Sequence, residues 1–362
     1  MSEPTPPTPG SAVKVQVVFQ LASRILTFIM NLIILRLTSP AVLGISGVKL
    51  DMFIGTSLYL ARDGLRMALI RLPKPVDAKG RASWNKRFFS MAWLSVPLGL
   101  VIALIMTIIY VSWPPSDFSK ETLKAYHEGI LFYGVSTLVE LLIEPVLSFL
   151  IFYQHTKKRL ALDLIGSFLK MAVPLTLLLR QPNSSDLGYG IRAFALGQLA
   201  RSLFLFLAYI VLFLRTSEGK LVGIKDLIPG KNWNKPTIQH AYEMTKQLIL
   251  KYALAQGDMW VISVFCQISD QGIYSVVMNY GSLICRLILQ PLEDTGLQFF
   301  SRTLSGAPSE QTRKAAIKYL ELILKFYSLL CLGLVTIAPW YTNLFVNYIL
   351  GGKWSTSNMA NL

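Results

Sequence analysis

The sequence predicts an all-α polytopic membrane protein, a two-lobed parallel-repeat transporter fold with the second lobe incomplete. Three observations carry this reading. Of 362 residues 53% are hydrophobic, the mean hydropathy is +0.48, and the apolar residues come in long blocks such as Phe88–Val111 and Arg192–Leu214, not in the stripes of soluble helices. Basic residues crowd alternate connections between the blocks. Two stretches 227 residues apart share their rare polar positions.

A bilayer core of ~30 Å takes about 20 apolar residues in a helix. Nine blocks meet that length: 14–37, 43–70, 88–111, 126–152, 160–180, 191–214, 243–266, 272–300 and 318–338. A membrane barrel would show short alternating segments instead. The N-terminal border and the connections 71–87, 153–159, 215–242 and 301–317 hold 18 Lys and Arg, against 3 in and beside the intervening connections. The positive-inside bias therefore predicts a cytoplasmic N-terminus. It also accounts for the net charge of +15 without a nucleic-acid partner.

Residues 1–13 open with MSEPTPPTPGSA. This Pro-rich stretch lacks the basic start of a signal peptide and is expected to be a disordered cytoplasmic tail. Six spans fill an N-lobe over 14–214. A basic cytoplasmic linker covers 215–242, a partial C-lobe of three spans covers 243–338, and a tail covers 339–362.

The repeat supports this division. QLASRILTFIMN, Gln20–Asn31, aligns with QLILKYALAQGD, Gln247–Asp258, so that Gln20 meets Gln247, Arg24 meets Lys251 and Asn31 meets Asp258. With one residue added, Gly44 meets Gly272 and Asp51 meets Asn279. Six spans separate the copies, so both run in the same direction, as in two-lobed transporters with parallel repeats. The second lobe stops at three spans, and a truncated or alternatively spliced form is expected.

Charges sit inside the spans. Gln20, Arg24, Thr27 and Asn31 share one helix face by spacing, as do Asp51, Gly55, Arg62 and Arg66, and as do Gln247, Lys251 and Asp258. At ~1.5 Å per residue, Arg24 and Arg62 both lie about 14–15 Å deep, and Arg286 is mid-span. Each such charge costs ~2.5–3.5 kcal/mol at the bilayer centre, so it must face a partner or a wet cavity. On the pairing reading, Asp63 meets a base on a neighbouring helix, Glu140 and Glu144 serve Arg24, and Asp163 pairs with Lys170. On the cavity reading, cations exceed what pairing needs and an anion binds; a diphosphate suits Arg forks and Lys point charges. The expected binding residues are Arg24, Arg62, Lys251 and Arg286. Gln20, Asn31, Asp51, Glu140, Glu144, Asp258 and Glu293 are the expected polar or coupling residues of the cavity.

Other motifs are discounted. Cys266, Cys285 and Cys331 have no ligand spacing, and His127, His155 and His240 are scattered, so no metal, cofactor or catalytic triad is expected. Gly351-Gly352-Lys353 lacks the rest of a phosphate loop. The one glycosylation sequon is Asn183-Ser184-Ser185, in a short connection.

FQLASRILTFIMNLIILRLTSPAVLGI, LYLARDGLRMAL and QGIYSVVMNYGSLICRLILQPLEDT carry a resemblance from about residue 14 to 355. Leu60-Ala61-Arg62-Asp63 and the Arg286–Glu293 run are its specific motifs. The chain resembles the Rft family of endoplasmic-reticulum oligosaccharide-lipid translocation proteins, within the multidrug and polysaccharide-lipid exporter superfamily. The resemblance implies two six-helix lobes followed by further helices. It implies a multi-pass protein of the endoplasmic reticulum membrane, a dolichol-diphosphate-linked oligosaccharide (Man5GlcNAc2) as guest, membrane lipid as surroundings and no enzymatic activity. Translocation by alternating access is the expected function. A non-transporting partner in lipid-linked oligosaccharide assembly and an ion-coupled small-molecule exporter, with Asp51, Glu144 and Asp258 as coupling carboxylates, are the alternatives.

Overall fold

The computed structural model describes residues 29–73, 78–115, 118–181, 186–228, 230, 235–284, 289, 292, 296, 300 and 310–345. Among these, regular structure is helical throughout, and seven helices are long and apolar enough to cross a membrane. The protein is an all-α polytopic membrane protein. Two compact units divide at Gln271–Gly272. The sequence division at the 215–242 linker falls elsewhere, and residues expected to open the C-lobe lie in the first unit.

Helix α1 covers residues 29–37. Helix α2, Pro40–Ile70, follows Ser39 in an extended N-cap conformation, with Pro40 at the first helical position, where its missing N–H costs nothing. Gly44–Leu50 winds as a π-helix within it. The sequence places one span at 88–111; the structure has two helices there, α3, Ala78–Ala92, and α4, Ser95–Ser112. Helix α3 is amphipathic. Its Lys and Arg suit water, while Phe88 and Phe89 are fully buried against Leu69, Phe149, Phe152 and Phe213. Trp93 marks the break and donates its indole N–H to the Leu227 carbonyl, 2.8 Å away.

Helix α5, Lys120–Phe152, is capped by Ser119, whose Oγ accepts the Thr122 N–H at 3.2 Å. Helix α6 is Thr156–Arg180 and α7 is Leu187–Arg215. Asp186 caps α7 by accepting the Gly188 N–H at 2.9 Å. The connection after α7 is ordered where described: a short turn at Ser217–Lys220 packs on the end of α7, one at Ile224–Leu227 packs beside α3, and Gly230 N–H donates to Ser90 Oγ at 2.9 Å. Glu218 lies 3.3 Å from His155 Nε2. Its own backbone N–H, with Ser217 and His155, holds its carboxyl below the usual range. Helix α8, Lys235–Phe265, starts eight residues before the expected span, because the polar residues ahead of it favour a helix in water as readily as a loop.

Helix α2 is the most buried span. Phe53, Tyr110, Tyr126, Tyr133, Leu141 and Ile191 form a core joining it to α4, α5 and α7. The opposite sides of these helices are apolar and exposed, as at Ile108, Leu131 and Leu207, the surface a lipid environment requires. Glycine lets α2 approach its neighbours: a Cβ on Gly64 would collide with Thr245 of α8 and one on Gly44 with the carbonyl of Ile268, which follows α8. Between these points Tyr59 and Tyr252 stack with centroids 4.7 Å apart, and the Tyr252 hydroxyl lies 2.7 Å from Thr56 Oγ1. The second unit contains most of α9, Ile268–Ile284, and α10, Glu310–Phe345. Helix α10 exposes apolar side chains such as Leu329, Val335 and Trp340.

Close approach also sets the α6–α7 contact. A Cβ on Gly197 would lie 2.6 Å from the Lys170 carbonyl oxygen and 2.7 Å from Pro174 Cδ, two rigid groups. Gly197→Ala is expected to lower stability by about 1–3 kcal/mol through overpacking, read as a lower unfolding temperature in detergent. Gly134→Ala, where nothing lies within 4 Å, is the neutral control.

Candidate functional site

The charged residues of α2 meet carboxylates of α5. Glu140, Glu144 and Ser148 follow at intervals of four on α5 and share one face. Arg62, Asp63 and Arg66 lie on α2. Helix α7 contributes Gln198, Arg201 and Ser202, with Tyr209 further along, and α6 contributes Arg159 and Asp163.

Arg66 grips Glu144 by a fork: Nε donates to Oε1 at 2.9 Å and Nη2 to Oε2 at 2.7 Å. Ser148 Oγ also donates to Glu144 Oε1 at 2.9 Å. The Glu144 side chain is 2% exposed, so it is a carboxylate held in a dry place by a bidentate, charge-assisted contact. Glu140 Oε1 accepts from Ser202 Oγ at 2.9 Å, Arg201 Nη1 at 3.2 Å and Gln198 Nε2 at 3.3 Å. Asp163 accepts the Tyr209 hydroxyl at 2.7 Å and lies 3.6 Å from Arg159 Nε.

Arg62 differs from the other arginines. Its Nη1 lies 3.7 Å from both Glu140 Oε2 and Glu144 Oε2, and its Nε lies 3.8 Å from Asp63 Oδ1. These distances give Coulomb attraction but exceed hydrogen-bond length. The Nε is buried with no hydrogen-bond partner among the described residues. Arg62, Arg66, Arg159, Arg201, Glu140 and Asp163 line a cavity of about 220 Å³, closed by Ile143, Leu147, Ile151, Leu205 and Tyr209.

The structure redistributes several expected partnerships. Glu140 and Glu144 engage α2 and α7. Asp63 lies 3.4 Å from Arg66 Nη1 on its own helix, since a long Arg side chain reaches back over one turn. Lys170 donates to Asp51 at 2.7 and 3.0 Å, Tyr133 also donates to Asp51 at 3.2 Å, and Asp163 serves Tyr209 and Arg159. At the described cluster cations do not exceed carboxylates: Arg62, Arg66, Arg159 and Arg201 face Asp63, Glu140, Glu144 and Asp163.

Of the residues expected from sequence, Arg62, Glu140 and Glu144 come together. Asp51 belongs to a separate contact on α2. Asn31 lies on α1, half-buried, while Lys251 and Asp258 are exposed on α8, and Asp258 accepts the Met259 N–H at 2.8 Å. Gln20, Arg24, Arg286 and Glu293 lie outside the described residues, as do Cys285, the Asn183 sequon and Gly351-Gly352-Lys353. Sequence reasoning missed Arg201, Gln198 and Ser202 in the site. Their signal was present: three polar residues at spacings of three and four inside an apolar span. Among the described residues no group of His, Cys, Asp and Glu could hold a metal ion.

Residues 10–362 match the family model described as Rft protein. The chain is 26% identical over 362 residues to the Man(5)GlcNAc(2)-PP-dolichol translocation protein RFT1 of Eremothecium gossypii, covering 94% of this chain and 65% of that protein. Proteins of the same name from Schizosaccharomyces pombe and Mus musculus are each 28% identical, covering 95% and 96% of this chain and 65% of their own length. The chain thus spans about 65% of the length of the curated relatives it matches. No solved structure matches it.

Removing one partner of a buried ion pair strands the other. Arg66→Met is expected to cost about 3 kcal/mol, because Glu144 would be left in its dry setting without its fork. The check is the unfolding temperature of the purified protein, with Arg66→Met, Glu144→Gln recovering most of the loss.

Proposed function

The chain belongs to the Rft protein family, and from that premise we propose that it binds the diphosphate of a dolichol-linked oligosaccharide and takes part in moving that lipid across the membrane. The carrying observation is Arg62. Its guanidinium sits in a lined cavity among carboxylates that are already served. Glu144 has Arg66 and Ser148, and Glu140 has Arg201, Ser202 and Gln198. Arg62 can therefore turn its donors to a phosphate oxygen without stranding either glutamate. A phosphate replaces long Coulomb contacts with short, bidentate, charge-assisted bonds.

The names of the relatives, Man(5)GlcNAc(2)-PP-dolichol translocation proteins, support the choice of guest. The reading places the protein in the endoplasmic reticulum membrane with a cytoplasmic N-terminus. The sugar crosses through a wet interior between two lobes while the dolichol tail stays in lipid. Arg62 is the residue this reading assigns to the diphosphate, and the protein performs no covalent chemistry.

The test is binding of dolichyl diphosphate oligosaccharide to the protein in lipid nanodiscs. Arg62→Gln is expected to weaken it about tenfold or more, as losing a hydrogen bond to a charged group does. Arg62→Lys should retain part of the affinity. Wild-type affinity in Arg62→Gln, with the fold intact, would end this assignment.

A further inference from the structure

Helix α5 begins on the membrane face away from the basic connections, in the stretch 112–125, where the positive-inside bias leaves few cations. Lys120 and Lys124 nevertheless stand together there. With Leu123, His127, Glu128 and Leu131 they line an open hollow of about 450 Å³ along α5. It shares no residue with the arginine cavity, whose lining on α5 begins at Glu140. Both lysines and His127 are exposed, and neither lysine has an ion pair among the described residues. Among the described residues Glu128 is the one carboxylate of the lining, and Arg192 of α7 already holds it at 2.6 Å. The two lysine charges of the hollow are therefore left uncompensated.

The same helix face continues as an apolar stripe. Leu131, Val135, Leu138 and Leu142 follow at intervals of four, three and four, the spacing that keeps them on the face of Lys120, Lys124 and His127. All four are exposed, although α5 buries most of its remaining span. Along the axis, Lys120 to His127 rises ~10 Å, and Leu131 to Leu142 rises ~16 Å, about half of the ~30 Å hydrocarbon core. A cationic head and an apolar tail thus follow one another in the order, and on the scale, of a lipid in one leaflet.

These features discriminate between occupants. A soluble phosphate would meet the lysines and leave the stripe unused. A hydrocarbon would cover the stripe and leave the lysines unmet. A choline phospholipid would bring its own ammonium to two like charges. We propose that this face of α5 is a binding site for an anionic phospholipid of the surrounding bilayer, its headgroup phosphate held by Lys120, Lys124 and an N–H of His127 and one acyl chain lying along Leu131 to Leu142. Lysine suits this role as a point charge on a flexible stem, and imidazole keeps at least one N–H donor in every protonation state it adopts here. The inference stands apart from the diphosphate reading, because it uses no residue of the arginine cavity.

The experiment is native mass spectrometry of the whole chain in detergent, titrated with phosphatidylglycerol or with phosphatidylcholine of the same acyl chains. The wild type is expected to retain phosphatidylglycerol with about tenfold preference. Lys120→Gln, Lys124→Gln should weaken that binding about tenfold, the weight of two lysines beside an anionic headgroup. Lys157→Gln, Lys158→Gln, which removes the same charge from exposed positions at the start of α6, should leave it unchanged. Soluble glycerol phosphate should not compete. Equal retention of the two lipids, or equal binding by the two double variants, overturns the site. Competition by glycerol phosphate as strong as by the lipid overturns the role of the stripe and with it the phospholipid. Displacement by an equal amount of dolichyl diphosphate gives the hollow to that lipid instead and also overturns the proposal.

Discussion

The first unit is organised around one contact, the fork between Arg66 of α2 and Glu144 of α5. Neither charge could stay at membrane depth alone. In a low dielectric an unpaired charge is far costlier than a paired one, so the two helices are held in a single rotation and register. Glu140, one turn before Glu144, extends the constraint to α7 through Arg201 and Ser202, and Lys170 and Asp51 tie α6 back to α2. Apolar packing gathers these helices, but it would tolerate several rotations about their axes. The polar contacts select one.

The cluster is close to neutral in sum, which changes what a cation in it means. An excess of positive charge would draw any anion. On the proposed reading, selectivity for a phosphate comes from hydrogen-bond accounting. Arg66 and Arg201 use their donors on glutamates, and Arg62 keeps donors in reserve while the same glutamates hold it electrostatically. Such a group is positioned before a guest arrives, so little ordering entropy is left to spend on binding.

Membrane character, the helical class and most span positions were legible in the sequence because hydropathy integrates over about 20 residues. Arg62, Glu140 and Glu144 were legible as special because a charge in an apolar run is costly. Partners were harder to read. Asp51 and Lys170 are 119 positions apart, and which base meets which acid depends on how each helix is rotated, information that no single segment carries. The break at Trp93 was hidden for a similar reason: apolar residues continue across it, and only the distant Leu227 carbonyl that receives its indole N–H gives the turn its place. Arg201 carried the same signal, a charge inside an apolar span, but its partner Glu140 lies 61 positions away on another helix.

Helix α2 presents two unlike sides. Towards α5 it is bolted by the Arg66–Glu144 fork, which demands matched positions. Towards α8 it presents bare backbone at Gly64 and the flat ring of Tyr59, stacked on Tyr252. Thr245 fills the space beside Gly64, and the Tyr252 hydroxyl reaches Thr56 across the seam. In mechanical terms α2 is clamped on one flank by charge and on the other by closeness of backbone, so a bulkier residue at Gly64 would pry open one flank while leaving the ionic one in place.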